Sequence, residues 1–182
     1  MYIPKTDEKR TATLEQKNNN INLVGMPGVG KSTDGVVIAK ILGYHFVDAD
    51  IVIQQKDGRL LKDIIAEEGV DGFIEIENKI NSEINGKKTI IATGGSVIYG
   101  KEAMEHYKQI GDVIYLKLDY DTLINRLGDI KNRGVVLKDG QTLKDLYDER
   151  CKLYEKYADI VVDEAGLDVE KTIDKLVENL QK

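Results

Sequence analysis

The chain is poor in the residues that build covalent staples and soft metal sites. Its 182 residues include one cysteine, Cys151, and two histidines, His45 and His106. That scarcity excludes an internal disulfide framework and a cysteine-based zinc site, and it argues against a His-rich metal centre. Any metal used is expected to be a hard ion held by oxygens. The chain has no run of about 18 apolar residues, the length of a membrane span. Its opening, MYIPKTDEKR, has no apolar h-region, so no secretory signal is supported and the expected compartment is the cytoplasm. Positive charge is also short: 26 Lys and Arg stand against 32 Asp and Glu, for a net charge of −6. An acidic balance argues against non-specific binding to nucleic acid, while a local basic cleft can still hold a small anion.

What is present suffices for one packed domain. Hydrophobic residues make up 41%, and counting glycine in place of tyrosine gives about 45%, the ordinary globular value. Residues 1–20 are polar, mixed in charge and end in Asn18-Asn19-Asn20. They are expected to form a flexible arm ahead of a domain over 21–182, because they cannot bury enough apolar surface to offset ordering entropy. From Ile21 onward, short β-type runs alternate with helix-period segments, the pattern of an α/β fold with a parallel sheet. Strands are predicted at Ile21 to Val24, Tyr44 to Val47, Thr89 to Ala92, Val113 to Leu116 and Ile160 to Val162. Helical spacing links Phe73, Ile76, Ile80 and Ile84, and again Val169, Ile173, Leu176 and Leu180. Residues 128–142 carry glycines at 128, 134 and 140 with charges throughout; a connection of that length is expected to be a mobile functional loop or lid.

Gly25-Met26-Pro27-Gly28-Val29-Gly30-Lys31-Ser32 matches G-x-x-x-x-G-K-[ST] at every fixed position, between a predicted strand and a predicted helix, the context that the chemistry requires. Glycines there let the backbone wrap phosphate oxygens with its N–H groups inward, at the positive end of the helix that follows. Gly28, Val29, Gly30, Lys31, Ser32 and Thr33 are thus expected to hold ATP. Lys31 would reach the outer phosphates and the Ser32 hydroxyl would face Mg2+. Asp48-Ala49-Asp50 closes the second predicted strand. Two acids at a strand end read alone as a solvated turn; beside a phosphate loop they read as functional.

A phosphate loop near the start of so small a domain, followed by D-x-D after the second strand, resembles the shikimate kinase family over residues 21 to 180. The resemblance implies a three-layer P-loop kinase fold, with a five-stranded parallel sheet flanked by helices and a lid over about 128–142. It gives Asp48 to magnesium and Asp50 to substrate hydroxyls, a role open to Asp50 because an ionised carboxylate only accepts hydrogen bonds. It places Thr93-Gly94-Gly95-Ser96 at a turn against the substrate, where Ser96 stands in for a third glycine. It assigns Arg126 to the adenine side, Arg133 to the lid and Arg150 to the substrate carboxylate. The catalytic set is then Lys31, Asp50 and Arg133, with Gly94, Gly95 and Arg150 on the acceptor.

Three further departures mark this chain. The family's second carboxylate-binding arginine lies in F-R-x-x-E, but here the run is Phe73-Ile74-Glu75-Ile76-Glu77, so Ile74 stands on the expected pocket wall and cannot hold an anion. Gly134 follows Arg133 in place of proline, and Lys152 precedes Leu153-Tyr154 where proline is usual. Glu77 either orients its neighbours or faces solvent on a charged helix. His45 and His106 read as structural or surface residues, and Cys151 has no histidine paired with it in the sequence. The expected reaction is ATP-dependent phosphorylation of a hydroxyl on a small metabolite, with shikimate to shikimate 3-phosphate leading. Another hydroxylated metabolite is the first alternative. An ATP-binding regulatory protein without metabolite kinase activity is the second, and a nucleic-acid-binding ATPase is third and disfavoured by the acidic balance.

Overall fold

The structure is a computed structural model that describes residues 19–127, 135, 137–138 and 140–180. Five strands, β1 (Asn20–Val24), β2 (His45–Asp48), β3 (Thr89–Ala92), β4 (Gly111–Lys117) and β5 (Ile160–Asp163), pair in the order β2-β3-β1-β4-β5. Every pairing is parallel. Helices α1 (Lys31–Leu42), α2 (Ala49–Asp57), α3 (Leu61–Asn81), α4 (Lys101–Ile110), α5 (Tyr120–Leu127), α6 (Leu143–Tyr157) and α7 (Val169–Leu180) flank the sheet. Parallel strands need covered faces, and their residues are accordingly buried on both sides in β1 and β3. This is the expected α/β architecture.

The first strand starts one residue earlier than the arm boundary allowed. Asn20 is buried in β1, where its Nδ2 donates to Gly86 O at 2.9 Å and its Oδ1 accepts from Thr89 N at 3.0 Å. A polar residue can sit inside the sheet because both ends of its amide are satisfied. Residues 1–18 lie outside the described residues.

Register brings the site together. Asp48 of β2 and Leu23 of β1 both pair with Ala92 of β3, so the carboxyl ends of the three strands finish level. The phosphate loop leaves β1 at the middle of the sheet, with the Asp48 turn and the Thr93-Gly94 turn on the same side of it. Ligand sites of open parallel sheets lie at such strand ends.

The apolar core divides in two. The large cluster surrounds the sheet, whereas Ile53, Ile64, Phe73 and Ile80 form a small separate one between α2 and α3. Phe73 and Ile80 belong to the predicted helical stripe, but α3 ends at Asn81 and Ile84 is buried in the main core from the turn that follows. Within α3, Gly69 adopts φ 72 and ψ −179, breaking the helix into two segments; a side chain would be strained there. Near the other end of the chain, Thr142 and Asp145 form a capping box that starts α6, worth about 1 kcal/mol. That helix carries Arg150. Among the described residues, no helix is long and apolar enough to cross a membrane.

Candidate functional site

The phosphate loop has the backbone that its glycines permit. Gly25, Gly28 and Gly30 have φ of 151, 86 and 116, a region that side chains disfavour. Gly30 caps α1 without a side-chain hydrogen bond, so the first N–H groups of the helix remain free for an anion. Lys31 is folded back over the loop, its Nζ donating to Gly25 O at 2.8 Å and Met26 O at 3.0 Å. Only 8% exposed, it has its pKa lowered to about 8 by burial, with Asp50 partly offsetting the loss.

Next to it, the Ser32 hydroxyl donates to Asp48 Oδ2 at 2.8 Å, while Asp48 Oδ1 accepts from Asp50 N at 3.0 Å and caps α2. One carboxylate thus serves both as helix cap and as partner of the loop. Ser32 and Asp48 are hard oxygen donors side by side, the chemistry that suits magnesium. Burial, and then Asp48, push the Asp50 carboxyl above its ordinary pKa, with Lys31 opposing.

A cavity of about 750 Å³ joins these groups. Its walls include Gly28, Gly30, Lys31, Ser32, Thr33, Asp50, Gly94 and Gly95, so most of the expected phosphate-loop and acceptor residues meet in one space. The Thr93-Gly94 turn is tightly packed. A β-carbon on Gly94 would collide with Glu77 Oε1 and come within 2.9 Å of Asp50 Oδ1, and one on Gly95 would lie 2.7 Å from Pro27 and 3.0 Å from Arg150 Nη1. The Tyr154 hydroxyl donates to Gly95 O at 2.5 Å and pins the turn. Arg150, 7% exposed, reaches it from α6 with its guanidinium 5.5 Å from the Tyr99 ring centre.

Other expected residues stand apart from this cavity, and Asp48 and Arg150 are adjacent to it without lining it. Ile74 is half-buried on α3 but does not line the cavity. Phe73 and Glu77 do; they are four residues apart and share a face, whereas Ile74 is turned about 100° away. Val29 does not line this cavity either. With Arg126 it borders a second one of about 380 Å³ on the other side of the loop, which Gly28, Gly30 and Thr33 also reach. Arg126 Nη1 donates to Val29 O at 3.2 Å and lies 3.4 Å from Glu164 Oε2. Arg133 and residues 128–134 of the expected lid lie outside the described residues. His45 is exposed, and His106 Nε2 is bonded to Ile84 O at 2.7 Å, so neither approaches the site. Cys151 Sγ accepts from the Tyr115 hydroxyl at 3.2 Å.

Sequence reasoning missed several members. Glu77, left open between two roles, is 1% exposed and accepts from the Ser96 hydroxyl at 2.5 Å. The serine in place of the third glycine therefore has a structural use. Burial raises Glu77 to about 7. At the second cavity, burial also raises Asp34 to about 6 and Glu164 to about 7, with Arg126 opposing both. Asp34 follows the phosphate loop directly, which was a usable signal; Glu164 is brought to Arg126 only by the fold.

Known proteins resemble this chain in sequence and in fold. The family model for shikimate kinase matches residues 27–181. A shikimate kinase of Thermodesulfovibrio yellowstonii is 34% identical over 166 residues, covering 90% of this chain and 95% of that one. One from Histophilus somni is 38% identical over 173 residues, covering 91% and 98%. Among solved structures, shikimate kinase from Acinetobacter baumannii in complex with shikimate superposes with a TM-score of 0.82 at 30% identity, covering 93% of this chain and 97% of the other. The matched span includes the acid turn, the glycine turn and the phosphate loop from Pro27 onward, and the chain belongs to the shikimate kinase family.

Proposed function

We propose that the protein transfers the γ-phosphoryl group of ATP to a hydroxyl of shikimate, giving shikimate 3-phosphate and ADP. The observation that carries this reading is the single cavity into which the phosphate-loop residues Lys31 and Ser32, the acid Asp50 and the Gly94-Gly95 turn all face. Donor and acceptor can meet in that one space. The likeness to a structure bound to shikimate supports the choice of acceptor.

Catalysis rests on position and charge, because phosphoryl transfer asks for little covalent chemistry from the protein. The free N–H groups of the loop and of the start of α1 bind the phosphates, and Lys31 leaves its two carbonyl partners for the outer phosphate oxygens. The Ser32 hydroxyl and the Asp48 carboxylate would hold a magnesium ion entering with the nucleotide, which supplies charge neutralisation at the phosphates. Asp50 accepts a hydrogen bond from the attacking hydroxyl and takes its proton as the oxygen bonds to phosphorus and ADP departs. Arg150, held at the Gly95 turn, faces the carboxylate of the acceptor. Arg126 and the second cavity receive the nucleoside, since that space opens on the other side of the same loop. The family assignment of Arg133 to the charge of the transferred group completes the proposal.

A coupled ADP-release assay with shikimate beside other hydroxy acids, sugars and cyclitols tests it, with mass spectrometry of the product. Shikimate-dependent ADP release and a singly phosphorylated shikimate are expected. Preferred turnover of another acceptor would replace shikimate. Nucleotide binding with no phosphorylated product across the panel would make the protein a regulatory ATP binder.

A further inference from the structure

We infer that Lys62 anchors the carboxylate of the acceptor. This inference rests on the proposal above that the acceptor is an acid.

The acceptor cavity is short of free positive charge. Its wall includes two buried or half-buried acids, Asp50 and Glu77, and two lysines, Lys31 and Lys62. The Lys31 ammonium is held between Gly25 O and Met26 O, at the phosphate end. Ile74 offers no charge and lies outside the wall. Arg150 reaches the acceptor end at the Gly95 turn but does not line the wall, so an acid entering beside Asp50 and Glu77 still meets two acids, which a second cation would offset.

Lys62 is placed for that. It stands in the first turn of α3, on the outer wall formed with Leu60, Leu61 and Ile65. Those apolar neighbours can carry its methylene stem while the ammonium faces the cavity. The other cations of this region are already paired: Lys56 with Glu83 at 2.7 Å, and Arg59 with Asp57, Glu67 and Glu68 at 2.6 to 2.9 Å. Lys62 has no ion pair among the described residues, so it can meet an incoming anion without first breaking a bond. Lysine is a mobile point charge, not a planar fork. It should select for the presence of a carboxylate without fixing its orientation, leaving orientation to Arg150 and Asp50.

The test is steady-state kinetics at saturating ATP on shikimate and on its uncharged methyl ester, with the full chain and the variants Lys62→Ala, Lys62→Arg and Lys62→Glu. Lys62→Ala is expected to raise KM for shikimate about tenfold, the scale of one charge-assisted contact, and to leave KM for the ester and for ATP in place. Lys62→Arg should retain most of the affinity, and Lys62→Glu should lose more than Lys62→Ala. An unchanged KM for shikimate in Lys62→Ala would overturn the inference, as would equal losses on shikimate and its ester, which would make Lys62 a packing residue. A wild-type protein that binds ATP but does not turn over shikimate would instead overturn the functional reading, and the inference with it.

Discussion

The Ser32 hydroxyl donates to Asp48 Oδ2 at 2.8 Å, tying the first turn of α1 to the last residue of β2. Two residues far apart in sequence thus present their oxygens at one point, and substitutions there should not act independently. Ser32→Ala and Asp48→Asn are each expected to raise the magnesium needed for half-maximal turnover by about tenfold, with the double variant falling short of the product. Asp50→Asn should leave that titration in place and lower turnover with the acceptor. Magnesium and acceptor titrations at saturating ATP decide it; matching profiles for Asp48→Asn and Asp50→Asn would defeat the division of roles.

Lys31 predicts both a loss and a pH limit. Lys31→Ala should reduce turnover by about 100- to 1,000-fold with the fold intact, since one preorganised charge at the phosphates is removed. In the free protein its pKa is about 8, so the ammonium is present below that pH and is lost as pH rises through it. The quantity kcat/KM for ATP, which reports the free enzyme, is expected to fall above about pH 8. A profile flat to pH 10 would contradict this assignment.

Gly94 is required by space. A methyl group there would collide with Glu77 Oε1 and crowd Asp50 Oδ1. Gly94→Ala should therefore displace Asp50, the acid proposed to hold the hydroxyl, raising KM for the acceptor about tenfold or more while sparing nucleotide affinity. Nucleotide binding by calorimetry, beside acceptor kinetics, separates the two effects.

Glu77 bears on stability. Its pKa is raised from 4.5 to about 7 in the folded protein. Between those values the folded state keeps a proton that the unfolded state has lost, so the stabilising effect is present at low pH and disappears as pH rises through about 7. Glu77→Gln can still accept from Ser96 and removes the buried charge. Thermal melts should show it more stable than the parent by about 2–3 kcal/mol at pH 8, with the difference shrinking towards zero by pH 5. A constant difference across that range would mean that Glu77 does not titrate there.

The phosphate loop, the acid turn and the alternation of strands and helices were all legible in the amino-acid sequence. Each depends on local rules: glycines at fixed spacing where the backbone must approach phosphate, lysine and serine at a helix start, and apolar residues at helical or strand periods. Element ends were read less well, because Asn20 enters β1 through amide contacts to Gly86 and Thr89, far along the chain.

The tertiary structure decided what those parts face. The family resemblance implies a place for Ile74 on the pocket wall, but Phe73 and Glu77 of α3 line the cavity and Ile74 does not. Burial, which no local pattern specifies, raised Glu77, Asp34 and Glu164 far above ordinary carboxyls. It also lowered Lys31. Lys62 reads in sequence as one charge among many on a helix; only the packing of α3 beside the phosphate loop brings it to the cavity wall. A local motif determines which atoms can bind phosphate, whereas the charge and shape opposite them arise from contacts between residues distant in sequence. Those contacts exist only once the sheet has brought its strand ends together.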